Sequence, residues 1–542
     1  MTLIMNKITK ISAMALLAAS TVFTGCIKET EPTTVVTAES VAQSATAVNA
    51  LVNAIAVRQA LVGGVYSNQH FDFALPAIMI ANDSAIGDVI TAAGDTGSPY
   101  DWFDFWGAGY SLNSTQRSPF TWYSYYDMIK TCNDVIGVVL DPQTDEMKAY
   151  LAYAKANRAS LYLDMARAYD PLENAYTDVS AVKGLTVPKI TETTTEDEAR
   201  NNPRMTRQEA FDFIFQDLKD AETLLTGNSF SGGKTTPSLG VVYGLMARAY
   251  LWLGGFDSSN YAQAATYARK AIDTSKATVM SESQWLDPKT GFNTPNNSWM
   301  WYIPQSSESV SNLLNYVAWM SYEATWGYGA MVNKGVTPRF YDRMSDTDWR
   351  KRAFLGADPL AWYAENADIS LLNLETFDAN TVYPYASVKF RPANGETADY
   401  TSGNATSVVT MRVEEMLLIE AEALAYSDPA TALAKLNDFM LTRDPEYSFK
   451  NTNTDALVEE IIWQKRVELW GEGVLFWDFK RLNMSIQNGY AGVNIPKNSM
   501  LNTDGRAPWW NWVIPEQETQ QNTTLKETNN PEVSSLVEPW EE

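Results

Sequence analysis

A mostly α-helical fold is predicted by three observations. Long segments carry apolar residues at spacings of three and four, capping signals stand in front of several of them, and paired segments are joined by glycine or proline turns. In chain order, Ser118 and Pro119 supply an N-cap with proline in the first turn ahead of a helix over residues 120–140. A helix over 146–169 follows, with Leu151, Ala154, Arg158, Leu161, Tyr162 and Met165 on related faces. Thr206 and Glu209 have capping-box spacing ahead of a helix over 211–225. Helices over 239–253 and 261–272 are divided by the short turn at Gly254 and Gly255, with small residues such as Ala249, Ala264 and Ala268 at the expected contact. Segments 413–426 and 431–441, separated by the start signal Asp428-Pro429, repeat that plan. Hairpins of this kind look like tetratricopeptide-type units, so the scaffold is predicted to be tetratricopeptide-like.

Between the helices, residues 71–116 and 285–400 are rich in Gly, Asn, Asp and aromatics and show no clean period. Irregular segments this long in a compact domain usually carry function. They are predicted to form the ligand face.

The stretch over 459–483 reads EEIIWQKRVELWGEGVLFWDFKRLN. Ile461, Ile462, Val467, Leu469 and Trp470 give an amphipathic helix that Gly471 and Gly473 interrupt, and the aromatic-rich run from Phe476 to Arg481 follows. Large apolar groups alternating with opposite charges predict a buried, salt-bridged helix corner. Arg466, Glu468, Leu469, Glu472, Gly473, Trp477, Asp478 and Arg481 resemble the C-terminal signature of the SusD/RagB family; Gln464 and Leu475 stand where that family usually carries charge. Residues 157–169, 184–188, 202–225, 412–424 and 513–516 resemble further blocks of the family in the same order. The resemblance implies an outer-membrane lipoprotein that captures glycans or other nutrients outside the cell. It implies delivery to a SusC-like TonB-dependent transporter, which the protein covers as a lid. It also implies that the corner residues serve the fold and not the ligand.

At the N-terminus, Lys7 and Lys10 lead into an apolar stretch over 11–23, too short to span a bilayer as a permanent helix. Gly25-Cys26 closes it in the manner of a lipobox, with Phe23 where leucine is commoner. Residues 1–25 are read as a lipoprotein signal peptide, Cys26 as the lipidated N-terminus, 26–44 as a flexible tether and 45–542 as the folded domain. Ordinary secretion with Cys26 retained is the alternative. Lys28-Glu29 resembles the charged tag that sends such lipoproteins to the cell surface. Cys132 is the one other cysteine, so stability must come from packing and not from a structural disulfide. A formal charge of −24 argues against nucleic acid and against electrostatic docking on anionic lipids. A neutral ligand suits it better.

Aromatic side chains are abundant, with 18 Trp, 27 Tyr and 20 Phe, and many of the tryptophans fall in the two irregular regions. Sugar rings present flat faces of C–H groups that stack on indole and phenol planes, and their hydroxyls need Asp, Asn or Arg partners. One aromatic cluster covers 100–106; the other holds Trp299, Trp301, Tyr302, Trp319, Tyr322, Trp326 and Tyr328. A tryptophan in a large helical protein is more often core than platform, and Trp299, Trp301 and Tyr302 alternate like a strand with one packed face. Trp102, Trp106 and Trp326 have Asp and Gly neighbours and are the predicted stacking platforms. Asn82 and Asp83 are predicted to add hydrogen bonds, with a plain turn as the commoner explanation. Arg391 could fork onto hydroxyls or a carboxylate; a surface salt bridge explains it equally well.

Catalysis has little support. His70 is the only histidine and reads as a packed ring or loop residue, which leaves no histidine metal spacing and one imidazole for any Ser-His-Asp arrangement. Residues 227–235 nearly spell a phosphate loop, but carry one residue too many and follow a helix. Asp346 and Asp348 lack calcium-loop spacing. No metal or cofactor is expected. The reading is non-catalytic capture of an oligosaccharide. A peptide-binding member of the same family, or a secreted glycoside hydrolase with two facing carboxylates, are the alternatives.

Overall fold

The computed structural model describes residues 41–42, 44–91, 116–332, 334–371, 383–533, 537–538 and 540–541. The chain divides into Met1–Ser44 and Ala45–Glu542. Nearly all of the first part, Cys26 included, lies outside the described residues.

The second part is mostly helical. Its main helices are α1 (Ala45–Gln59), α2 (Ala74–Ala85), α3 (Arg117–Val138), α4 (Asp145–Tyr169), α5 (Arg207–Leu225), α6 (Leu239–Gly254), α7 (Asn260–Ser275), α8 (Val413–Ala425), α9 (Pro429–Met440), α10 (Thr454–Glu468) and α11 (Leu475–Arg481). From α3 to α10 each packs on its neighbour in sequence, and α1 lies against both α3 and α4. This is the arrangement of stacked helical hairpins. The turn after α6 needs glycine, because a Cβ on Gly254 would stand 2.4 Å from the Tyr261 ring. That ring in turn lies flat on Tyr426 beyond α8, with centroids 3.8 Å apart.

Two of the predicted start signals act as read. Thr206 accepts from Glu209 N at 3.2 Å while Glu209 returns a carboxylate to Thr206 N at 2.8 Å, and Asp428 accepts from Thr431 N to cap α9. Replacing Thr206 by Ala should cost about 1 kcal/mol, measured as a lowered denaturant midpoint with unchanged slope. Ser118 behaves differently. Helix α3 already begins at Arg117, with Gln116 at the N-cap position, and the Ser118 hydroxyl donates to Val513 O at 2.6 Å, tying down the C-terminal segment.

Three antiparallel two-stranded pairs join distant segments: β1 (Ile90–Thr91) with β5 (Lys334–Gly335), β2 (Leu185–Pro188) with β3 (Arg204–Thr206), and β4 (Trp299–Pro304) with β6 (Ser407–Arg412). The first pair links the two regions predicted to be loops. Their described parts hold more regular structure than predicted. Helix α2, rich in Ala, Ile and Met, is buried at every position but Leu75. Strand β4 is covered on both faces, so Trp299 and Trp301 belong to the core.

The corner between α10 and α11 is a buried charge network. Glu468 accepts from Arg350 at 2.9 Å, Arg412 at 2.7 Å and Arg443 at 2.9 Å, all with negligible exposure. Burial alone would raise its pKa, but Arg443, Arg412 and Arg350 hold it well below the usual carboxylate range. Glu472 accepts from Arg412 at 2.8 Å and Lys389 at 2.7 Å, and Arg466 forks onto Asp88 at 2.8 and 2.6 Å. Gln464, where the resemblance led one to expect charge, accepts from Arg350 at 2.6 Å. An uncharged acceptor suffices there because Asp348 and Glu468 already neutralise that guanidinium.

Candidate functional site

Two hollows are candidates for ligand binding. The first is an interior cavity of about 70 Å³ between α4, α6 and the corner. Its charges are matched within the protein: Arg167 with Asp164 at 2.5 Å, Arg248 with Glu415 at 2.7 Å, Lys465 with Asp478 at 3.0 Å. That space holds roughly two water molecules and no sugar ring.

The second is a groove of about 490 Å³, within the range of small-molecule sites. One wall is α3, where Tyr123, Tyr126, Asp127 and Lys130 fall at positions i, i+3, i+4 and i+7 and therefore share a face. The opposite wall is the irregular segment 61–73, which contributes Leu61, Gly64, Val65 and Asp72. Arg58 at the end of α1 closes one lip by pairing with Asp127 at 3.2 Å. Tyr123 and Tyr126 are both half-buried. The Tyr126 hydroxyl is held deep by Pro188 O at 2.8 Å while part of its ring stays open. Burial raises the Tyr123 hydroxyl above its ordinary pKa, with Glu518 and Tyr66 adding to the effect, so the phenol stays a neutral donor and acceptor. Aromatic rings beside carboxylates and cations offer a stacking surface and hydroxyl partners together.

None of the described residues predicted to bind ligand lines this groove. Trp102 and Trp106 lie outside the described residues. Trp326 is only 7% exposed: its Nε1 donates to Asn404 Oδ1 at 3.0 Å, and its ring lies so close to Gly403 that a Cβ there would be 2.2 Å away. Neighbouring Trp319 and Tyr328 stack on each other with centroids 3.7 Å apart. Arg391, 1% exposed, is paired with Glu323 inside the protein and makes no surface bridge. Asn82 and Asp83, 3% and 0% exposed, are neither a turn nor a free surface; both belong to the core helix α2. Burial lifts the Asp83 carboxyl to a pKa of about 8, although Gly473 N donates to it at 2.9 Å. Packing covers the faces of these four, although Asn82 Oδ1, Asp83 Oδ1 and Arg391 Nη2 are left without a hydrogen-bond partner among the described residues. His70 is a loop residue whose Nδ1 meets Tyr328 Oη at 2.5 Å.

Comparison with known proteins reveals the relationship. A family model described as starch-binding associating with outer membrane matches residues 77–251, and the SusD family model matches residues 316–532. Together they cover well over half of the chain. It belongs to the SusD/RagB family. SusD-like protein P38 of Formosa agariphila is 23% identical over 435 residues, covering 74% of this chain and 78% of that protein. The structure of a SusD-like carbohydrate binding protein from Bacteroides vulgatus superposes with a TM-score of 0.71 at 22% identity, over 91% of this chain and 99% of that one. A SusD superfamily protein from Parabacteroides distasonis gives 0.64 at 19% identity, over 88% and 98%. These structural likenesses fix the fold. Within this SusD/RagB chain no described helix is long and apolar enough to cross a membrane. Among the described residues no cluster of three His, Cys, Asp or Glu side chains could hold a metal ion.

Sequence reading had missed the groove. Its signal was present: two tyrosines, an aspartate and a lysine on one helical face, where a buried face would carry only apolar groups.

Proposed function

We propose that the protein captures an oligosaccharide at the outer surface of the cell and hands it, without chemical change, to a SusC-like TonB-dependent transporter. The observation that carries this reading is the open groove in which Tyr123 and Tyr126 stand beside Asp127, Arg58 and Lys130. Membership of a family whose matching model is described as starch-binding and outer-membrane-associated supports both the ligand class and the location. The lipid anchor at Cys26, and the platforms at Trp102 and Trp106, belong to the proposal on sequence grounds. A hydrolase would need two carboxylates reaching one glycosidic bond. Asp72 is 1% exposed and tied to backbone amides, and Asp127 is paired with Arg58, so neither is placed for that work.

The test is migration in native gels containing soluble starch, xylan or laminarin, with released reducing ends assayed alongside. Retardation without released sugar is expected for at least one polymer. Tyr123→Ala should weaken that retention about tenfold, corresponding to one lost stacking contact, while leaving the melting temperature unchanged. No retardation by any of the three, or full retention by the variant, overturns the groove assignment. Released sugar would overturn the non-catalytic role.

A further inference from the structure

The groove has one rigid wall and one irregular one. Helix α3 is rigid, but residues 61–73 form a strap of turns with no regular secondary structure. The strap begins with a left-handed turn at Gly63, whose φ is +67°. Among the contacts that hold it to the molecule or to itself, three bear on its shape. Phe71 packs edge-on against Phe120 of α3 with centroids 5.2 Å apart, and His70 meets Tyr328. The third is Asp72. Its carbonyl accepts from Gly63 N at 2.8 Å, and its Oδ2 accepts from Val65 N at 2.7 Å and from Tyr66 N.

We infer that Asp72 is the positioning residue of the groove: its Oδ2 latches the strap into the shape that forms the wall facing Tyr123 and Tyr126. Phe71 and His70 lie at the far end of the strap; at the tip Tyr66 packs edge-on against Phe71 with centroids 6.4 Å apart, and the bonds to Asp72 set the direction of the backbone there. The tip, Gly64 to Asn68, includes Gly64, Ser67 and Asn68, all three exposed to solvent. Two consecutive N–H groups converging on one carboxylate oxygen form a small anion nest, which fixes the direction of the backbone across the tip. Among the described residues Asp72 Oδ1 has no hydrogen-bond partner, so the side-chain half of the latch runs through a single atom. Asp72 lines the groove but is 1% exposed, and its Oδ2 is taken up by backbone amides, so it acts chiefly through the strap. Loss of the latch leaves the α3 face intact and removes the surface opposite it.

This inference rests on the groove being the binding site, and the test separates the two. Asp72→Ala should raise hydrogen exchange at amides 64–66 at least tenfold and weaken retention by the polymer that retards the parent about tenfold. Asp72→Asn, whose amide oxygen can accept from the same N–H groups, should restore most of both. In the parent, saturation with that polymer should further slow exchange across 61–73. This last measurement stands even if Asp72→Ala fails to fold. Faster exchange in Asp72→Ala with undiminished retention overturns the latch, as does ligand that leaves the strap unprotected. If Tyr123→Ala weakens retention and Asp72→Ala does not, the groove stands and the latch falls. If neither variant changes it, both fall.

Discussion

Glu468→Gln is expected to lower the free energy of unfolding by about 3–5 kcal/mol, the usual consequence of removing one partner from a buried ion pair. Three guanidinium groups converge on this carboxylate, and none of the four side chains has appreciable contact with solvent. A neutral amide in its place accepts fewer charge-assisted hydrogen bonds and leaves Arg350, Arg412 and Arg443 to repel one another. Asp348, Glu414 and Glu472 then carry the remaining compensation, through Arg350 at 2.6 Å, Arg443 at 3.2 Å and Arg412 at 2.8 Å. The effect should reach the whole molecule, because Arg350 and Arg412 come from segments more than fifty residues away from Glu468 in sequence. Urea unfolding followed by tryptophan fluorescence measures it. A loss under about 1 kcal/mol would mean that the network fixes geometry without contributing stability.

Asp83→Asn is expected to act in the opposite direction, and its effect should depend on pH. The folded carboxyl has a pKa of about 8 against an ordinary 3.8, chiefly because burial disfavours the charge, with Asp88 and Glu472 nearby adding to the rise. Between about pH 4 and pH 8 the folded state therefore binds a proton that the unfolded chain has released. Stability contributed by this site is complete below pH 4 and is lost as pH rises toward 8. An asparagine has no such linkage. Each tenfold difference in proton affinity between the folded and unfolded chain is worth about 1.4 kcal/mol, so the variant should gain several kcal/mol over the parent by pH 8 and nothing near pH 4. Lys389 acts above that window with the other sign. Its pKa is lowered to about 8 by burial, so stability from that site rises between about pH 8 and 10.5. Denaturant midpoints for parent and variant at pH 4.5, 6, 7 and 8 decide the matter. Parallel curves would show that Asp83 is ionised throughout.

Asp83 also bears on the groove. Asp83 sits in α2, which begins where the strap ends, and its bond to Gly473 fastens that helix to the corner. Gly473 itself admits nothing larger, since its φ is +74° and a Cβ would stand 2.5 Å from the Met79 side chain.

Much of the scaffold could be read from short-range pattern. The spacing of apolar residues located α4, α5, α6, α7 and α8 to within a few residues, and the Thr206 and Asp428 caps marked real starts. Alternating charge and aromatic groups over 459–483 predicted a buried, salt-bridged corner, which the structure contains. Such features depend on residues within a few turns of one another, so the sequence carries them locally. Burial of individual side chains does not work that way. Trp326 is covered by Gly403, Arg391 is neutralised by Glu323, and Asp83 is enclosed by the corner, contacts spanning dozens to hundreds of residues. The groove likewise needs α3, which carries Tyr123, to lie beside the strap, which carries Asp72, an apposition made by tertiary contacts such as α1 on α3 and Phe71 on Phe120. By itself the sequence determined which segments coil and which family they build, because helix formation is a property of neighbours. Which aromatic rings stay open to solvent was decided by the tertiary structure, because exposure is whatever area the rest of the chain fails to cover.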